Sequence, residues 1–127
     1  MSYYFDKKTK GNFEDVVEKV KEELKKENFG ILSDLDVRKI LKEKLGVKFR
    51  NYRILGACNP TFSYEAFKAE DNIGTMLPCN VIVQEKDSVI EIVAIDPVAQ
   101  MMAIENPKIK EIAQKIQEKL KRVIDNV

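Results

Sequence analysis

Two short β-type stretches lie so close together in the chain that they constrain how it can fold. Residues 80–84 contain the apolar triplet Val81-Ile82-Val83, and residues 89–95 read V-I-E-I-V-A-I. Residues 85–88 between them are enough for a turn, so we predict an antiparallel hairpin. The unbroken apolar run of the first strand favours burial on both of its faces.

Helix-capping residues divide most of the remaining chain. Asn12 is a predicted N-cap, with Asp15 favouring the first turn of a helix along residues 13–25. Gly30 is placed to end that helix, and Gly46 to end a second one. Ser33 and Asp36 predict a capping box at the start of the second helix. Asparagine or aspartate before proline marks three further helix starts, at Asn59-Pro60, Asp96-Pro97 and Asn106-Pro107.

Strand patterns precede the first two helices and follow the second. Residues 2–10 predict a first strand at a sheet edge, residues 30–35 a second and residues 47–57 a third. The resulting order is β-α-β-α-β-α-β-β-α-α, which argues against a helical bundle or a sandwich of two sheets. We predict an α+β fold, formed as a single domain over residues 1–127, with a mixed or antiparallel sheet packed against helices in two layers.

Charge and hydropathy limit the classes of partner. The 127 residues include 22 basic and 21 acidic side chains, so no overall field draws the chain to nucleic acid or to an anionic membrane. No signal segment or membrane-spanning apolar run is found in the sequence. We therefore expect a cytoplasmic, soluble protein that binds neither nucleic acid nor membranes.

The chain contains no histidine, which excludes several kinds of chemistry. It cannot form a Ser-His-Asp or Cys-His pair, nor a zinc site with imidazole ligands. A general base would have to be a carboxylate, a lysine, a tyrosine or a thiolate. We predict no cofactor and assign no catalytic residue.

Both cysteines fall between residues 53 and 80, and each precedes an asparagine. Cys58 stands just before the helix start at Asn59-Pro60, where unpaired N–H groups and the helix dipole stabilise a thiolate. Cys79 follows Pro78 and precedes Asn80. We therefore predict a small-ligand or soft-metal site formed by Cys58, Asn59, Cys79 and Asn80. Two thiolates without histidine suit a copper(I)-like ion better than tetrahedral zinc.

Several strings of the sequence resemble a known family. They are F-G-I-L at residues 29–32, L-K-E-K-L-G-V at 41–47, F-R-N-Y-R-I-L-G-A-C-N-P at 49–60, I-G-T-M-L-P-C-N-V at 73–81 and I-D-P at 95–97. They look like the domain of unknown function three hundred and two, TT1751-like family, although Met76 stands where leucine is expected. The resemblance implies a small cytoplasmic α+β protein that forms a homodimer, and it implies no established activity.

Other functions and simpler explanations remain open. The chain could be a homo-oligomeric partner-binding module without thiol chemistry, using Tyr3, Tyr4, Phe5 or the C-terminal helix as its surface. It could be an enzyme with Cys58 as nucleophile and Asp96 or Glu65 as base, although Asp96 is explained by helix capping alone. The cysteines could also be ordinary buried residues or form a disulfide.

Overall fold

The computed structural model describes residues 2–127, which form one sheet and one layer of helices. The strands are β1 (Tyr4–Thr9), β2 (Gly30–Asp36), β3 (Tyr52–Cys58), β4 (Cys79–Lys86) and β5 (Val89–Ile95). The helices are α1 (Phe13–Lys26), α2 (Val37–Leu45), α3 (Pro60–Ala69), α4 (Pro97–Gln100) and α5 (Pro107–Asn126). A 3-10 helix, Asp71–Met76, connects α3 to β4.

The five strands lie in the order β1-β5-β4-β3-β2, and every neighbouring pair is antiparallel. This confirms the α+β class, the two-layer packing and the predicted hairpin. The edge position of β1 is also confirmed. None of the helices that the structure describes has the length and apolar character needed to cross a membrane.

The core fills the space between one face of the sheet and helices α1, α3 and α5. Alternate residues of the central strands are buried on this face because a strand directs successive side chains to opposite sides. These strand residues are Leu55, Ala57, Val81, Val83, Ile90, Ile92 and Ala94. Helix α5 supplies a continuous stripe to the same core: Ile109, Ile112, Ala113, Ile116, Leu120, Val123 and Ile124. We call this side of the sheet the helix face, and the other side the open face.

Most predicted helix starts are confirmed by hydrogen bonds. Asn12 accepts from the Asp15 amide at 3.0 Å, and Asn106 accepts from Lys108 at 3.0 Å. Gly46 ends α2 with a φ of +67°, a left-handed conformation that glycine adopts without strain.

The capping predictions for Gly30 and Ser33 are wrong. Helix α1 ends at Lys26, four residues before Gly30, because Asn28 takes the left-handed conformation with a φ of 67°. Asparagine tolerates that region better than most residues with a Cβ, and Gly30 begins β2 instead. The N-cap of α2 is Asp36, which accepts from the Lys39 amide, while Ser33 lies within β2.

The predicted burial of both faces of β4 is also wrong. Val81 and Val83 are fully buried, but Ile82 between them faces the open side and is half-buried. Residues 81–83 thus put apolar side chains on both faces of the sheet, although none of the described side chains on the open face is fully buried. This surface is described with the candidate site below.

An ion network fixes β2 and its neighbour β3 to α1. Arg53 of β3 donates to both carboxylate oxygens of Asp34 on β2, and Lys21 of α1 lies 2.8 Å from Asp34 Oδ2. Glu14 accepts from the same guanidinium. The hydrogen bond from Arg53, followed by that from Lys21, lowers the pKa of Asp34 from 3.8 to about 2, against the opposing effect of burial.

The lowered pKa of Asp34 predicts a loss of stability in acid. A carboxyl whose pKa is lower in the folded state contributes stability above its unfolded value, and this is lost as the pH falls through the folded value. We expect the urea midpoint of the wild type to decrease as the pH falls from about 4 to about 2. Asp34→Asn should flatten this decrease, and an equally steep decrease in the variant would contradict the assignment.

Candidate functional site

Cys58 lies where β3 ends and α3 begins. Its Sγ is 3.1 Å from the Ser63 Oγ, and the side chain is half-buried. With Asn59 as the N-cap, Cys58 precedes the cap and Ser63 is the fourth helical residue. In many helices the same two positions hold apolar residues that pack together and fix the entry of the chain, and here a thiol and a hydroxyl make the contact. The cysteine therefore has an ordinary structural role at this position, whatever chemistry it also performs.

The position of Asn59 before a proline predicted that its side chain would cap α3. The side chain makes no such hydrogen bond. Its Nδ2 instead donates to the main-chain oxygen of Glu27 at 3.2 Å, and the residue is only 5% exposed. The amide thus ties the start of α3 to the end of α1. The first turn of α3 has no side-chain cap.

Cys79 begins β4 and faces the core opposite Ala57. Burial, with a smaller contribution from the nearby Cys58 thiol, raises the pKa of Cys79 from 9.0 to about 11. A cavity of about 30 Å³ adjoins it, with Asn59 and Ser63 among its lining residues. A cavity needs about 10–15 Å³ to hold one water, so this space suits about two or three waters and is too small for a larger ligand.

The four predicted site residues do not surround one space. Asn59 and Cys79 line the small cavity, Cys58 contacts Ser63, and Asn80 is exposed opposite Gly56 on the open face. Adjacent strand residues point to opposite sides, so Cys79 and Asn80 diverge. Both cysteines are free thiols.

The two carboxylates proposed as bases have other partners. Asp96 accepts from the Val98 amide at 2.9 Å and from Gln117 Nε2 at 3.0 Å. Glu65 pairs with Lys68 at 2.8 Å, and this contact lowers its pKa. Within residues 2–127, no group of three or more cysteine, aspartate or glutamate residues could hold a metal ion.

A row of aliphatic side chains crosses the open face. The strand registers place Leu35 opposite Ile54, Ile54 opposite Ile82, and Ile82 opposite Val93. The row therefore extends over four neighbouring strands. Leu35 is 47% exposed, and the other three side chains are half-buried. We call these four residues the aliphatic row.

Tyrosines border this row. Tyr3, Tyr4 and Tyr52 line a groove of about 380 Å³ whose floor includes Ile82 and Val93. Tyr3 and Tyr4 are 66% and 37% exposed, and their rings meet edge to face with centroids 4.9 Å apart. Tyr3 and Tyr4, which the sequence suggested as interface residues, are therefore exposed on the open face.

The other residues considered from sequence are committed to the core. Phe5 alternates with Tyr4 along β1 and packs against the core. Helix α5 likewise uses its apolar stripe for the core. The C-terminal helix and Phe5 thus close the core.

Charged and polar groups lie beside the aliphatic row. Arg50 Nε donates to Gln84 Oε1 at 3.0 Å, and Gln84 Nε2 donates to Glu91 Oε1 at 3.1 Å. A hydrogen bond with Asp6, then burial, raises the pKa of Glu91. Lys8 lies opposite Glu91 on β1. The open face therefore carries both signs of charge around an apolar centre.

Sequence reasoning missed the aliphatic row, although a signal for it was present. The triplet Val81-Ile82-Val83 is apolar on both faces of one strand. In an antiparallel two-layer fold only one face has helices, so apolar residues on the other face indicate a further contact surface. The row itself depends on strand order, which local patterns do not give.

The comparisons with known proteins agree on the family. The model of the family described as "Domain of unknown function DUF302" matches residues 5–127. The fold is similar to the crystal structure of an uncharacterised conserved DUF302 protein from Bacillus stearothermophilus, with a TM-score of 0.92 and 27% sequence identity. That alignment covers 99% of this chain and 98% of the other. No protein in the curated collection matches the chain. The chain therefore belongs to the DUF302 family of domains of unknown function.

Proposed function

We propose that this protein is a homo-oligomeric binding module that pairs through the open face of its sheet, with a second copy of the chain as the partner. The aliphatic row is the observation that carries this proposal. Its four side chains lie on neighbouring strands and form a continuous apolar strip outside the core. Continuous apolar strips on a protein surface commonly mark sites of association.

The aromatic border supports the same surface. Tyr3, Tyr4 and Tyr52 stand beside the aliphatic row, and tyrosine is enriched at interfaces because it offers a large apolar body with one polar atom. Exposed tyrosines around an aliphatic centre match the usual arrangement of a protein interface.

The charges favour a copy of the same chain over a strongly charged partner. A twofold contact places one patch against itself, so a patch with one sign of charge would repel its copy. Lys8 and Arg50 accompany Asp6 and Glu91 on the open face. Acidic groups of one chain can therefore face basic groups of the other.

Dilution monitored by NMR tests the location of the interface. We expect the amide signals of β3, β4 and β5 to shift as the protein is diluted, with the largest changes along the aliphatic row. Signals from the outer surface of α5, such as Glu118, serve as the internal control and should stay constant. Shifts centred on α5 would place the interface elsewhere.

A second candidate function is soft-metal or small-ligand binding at Cys58 and Cys79, with Asn59 and Asn80 beside them. The observation in its favour is that Cys58 directly follows Ala57, the strand partner of Cys79, so the two cysteines lie at adjoining ends of β3 and β4. Burial of Cys79 weighs against it, because a thiolate there loses hydration. Copper(I), which binds thiolates strongly, is the ion that fits best.

We expect the two cysteines to react with a thiol reagent at clearly different rates. With a pKa of about 11, roughly one Cys79 thiol in a thousand is ionised at pH 8. We expect a disulfide reagent such as DTNB to modify one thiol rapidly in the native protein and both in denaturant. Cys58→Ser should remove the rapid phase, and Cys79→Ser should retain it. A rapid phase that survives Cys58→Ser would contradict this assignment.

Copper(I) titration then tests the paired site itself. If both thiols hold the ion, either serine variant should lose stoichiometric binding against a competing chelator. If wild type and both variants bind copper equally, the paired site does not exist.

A further inference from the structure

Residues 37–50 concentrate positive charge in a chain whose total charge is nearly neutral. The segment contains six basic residues and one acidic residue, whereas the whole chain has a net charge of +1. The remaining residues therefore carry an excess of acid. We expected no membrane or nucleic-acid partner because the total charge is balanced. That total does not reveal the local excess of positive charge in residues 37–50.

The basic side chains of the segment are not neutralised within the described chain. Salt bridges elsewhere in residues 2–127 involve Lys21, Arg53, Arg122 and others, but none joins a carboxylate to a residue of 37–50. Arg38 donates to the neutral amide of Asn51 at 3.2 Å. Arg38, Lys42 and Lys48 line one concave surface of about 370 Å³, together with Gly46 and Val47. Three cations thus converge on one side of the segment.

Apolar side chains project from the same place. Helix α2 has no fully buried residue, and Leu45 at its end is 69% exposed. Gly46 then turns the chain, and Val47 is 45% exposed. The tip formed by residues 45–47 is therefore aliphatic and lies among lysines at positions 42, 44 and 48.

We propose that residues 37–50 bind the surface of an anionic phospholipid bilayer. Lysines and arginines would contact the lipid phosphates while Leu45 and Val47 enter the boundary between headgroups and acyl chains. This is peripheral binding and needs no membrane-spanning helix. Arg50 lies on the open face, but the concave surface of Arg38, Lys42 and Lys48 and the tip at residues 45–47 include no residue of the aliphatic row or its tyrosine border. The binding therefore holds whether or not the chain forms a dimer.

A bilayer fits this surface better than a nucleic acid does. Aliphatic tips gain free energy from lipid, whereas single-stranded nucleic acid is held by stacking on exposed aromatic rings. The two aromatic residues nearby, Phe49 and Tyr52, are half-buried. The Arg50 guanidinium covers the Phe49 ring with its carbon 4.4 Å from the centroid.

Co-sedimentation with vesicles tests the proposal. Wild-type protein should pellet with vesicles of phosphatidylcholine and phosphatidylserine, remain in solution with phosphatidylcholine alone, and be released by high salt. Each lysine near an anionic surface strengthens binding roughly fivefold, so Lys42→Gln/Lys48→Gln should weaken it by more than about tenfold. Leu45→Ser/Val47→Ser should also weaken binding, although it leaves the charge unchanged.

A charge-matched control separates local binding from general attraction. Lys25 and Lys110 are exposed lysines of α1 and α5. Lys25→Gln/Lys110→Gln should retain binding, and circular dichroism checks that every variant is folded. The proposal is overturned if wild type does not bind the anionic vesicles at low salt, or if this control loses as much binding as Lys42→Gln/Lys48→Gln. Binding to single-stranded RNA without binding to vesicles would also overturn it.

Discussion

Ile82→Asp should convert the proposed dimer to monomers, weakening self-association by about a hundredfold or more. Ile82 stands within the aliphatic row, between Ile54 and Val93. A carboxylate there would lose its hydration on association without a paired cation, which is among the most unfavourable changes an apolar interface can undergo. Sedimentation velocity over a dilution series measures the effect.

The same substitution should leave the folded chain intact because Ile82 lies outside the core. Tyr64→Asp is the matched control, since Tyr64 is 64% exposed on α3 and lies on the helix layer. It introduces the same charge away from the open face and should leave self-association unchanged. If both variants dissociate equally, the effect comes from net charge, and the location of the interface is wrong.

Leu120→Ala should lower the free energy of unfolding by about 2–5 kcal/mol. Leu120 is fully buried in the apolar stripe of α5, which packs against α1, α3 and the sheet. Truncation removes buried apolar surface and leaves a cavity that the surrounding helices and strands fill only partly. Urea denaturation at one fixed protein concentration measures the loss, because dimerisation would make stability depend on concentration.

An exposed residue of the same helix provides the control for this change. Glu118→Ala, two residues earlier on α5, should change the free energy of unfolding by less than about 0.5 kcal/mol. A similar small loss for Leu120→Ala would mean that α5 is not central to the core.

Local signals in the sequence were sufficient for most elements of the fold. Asn12, Asp96 and Asn106 cap helices through hydrogen bonds from amides two or three positions away, so the pattern contains all the atoms involved. The end of α1 was wrongly predicted at Gly30 because Asn28, two residues earlier, adopts the left-handed conformation. Asn59 was misread because its partner, the Glu27 oxygen, is distant in sequence.

The candidate surfaces depended on information that the sequence does not contain locally. The position of Cys58 before a helix was predicted correctly, but its contact with Ser63 and the depth of Cys79 follow from packing. The aliphatic row requires the order β5-β4-β3-β2, which is set by long-range pairing. Of its residues, Ile82 belongs to the apolar run at 81–83, but the row forms only when the strands pair in this order.

Sedimentation equilibrium of the wild-type protein is the most direct test of the proposed pairing through the open face. One chain has a mass of 14.6 kDa, and the proposal predicts about twice that mass at micromolar concentration, decreasing toward 14.6 kDa on dilution. Ile82→Asp should give the single-chain mass throughout. A wild-type mass of 14.6 kDa at every concentration would contradict the proposal.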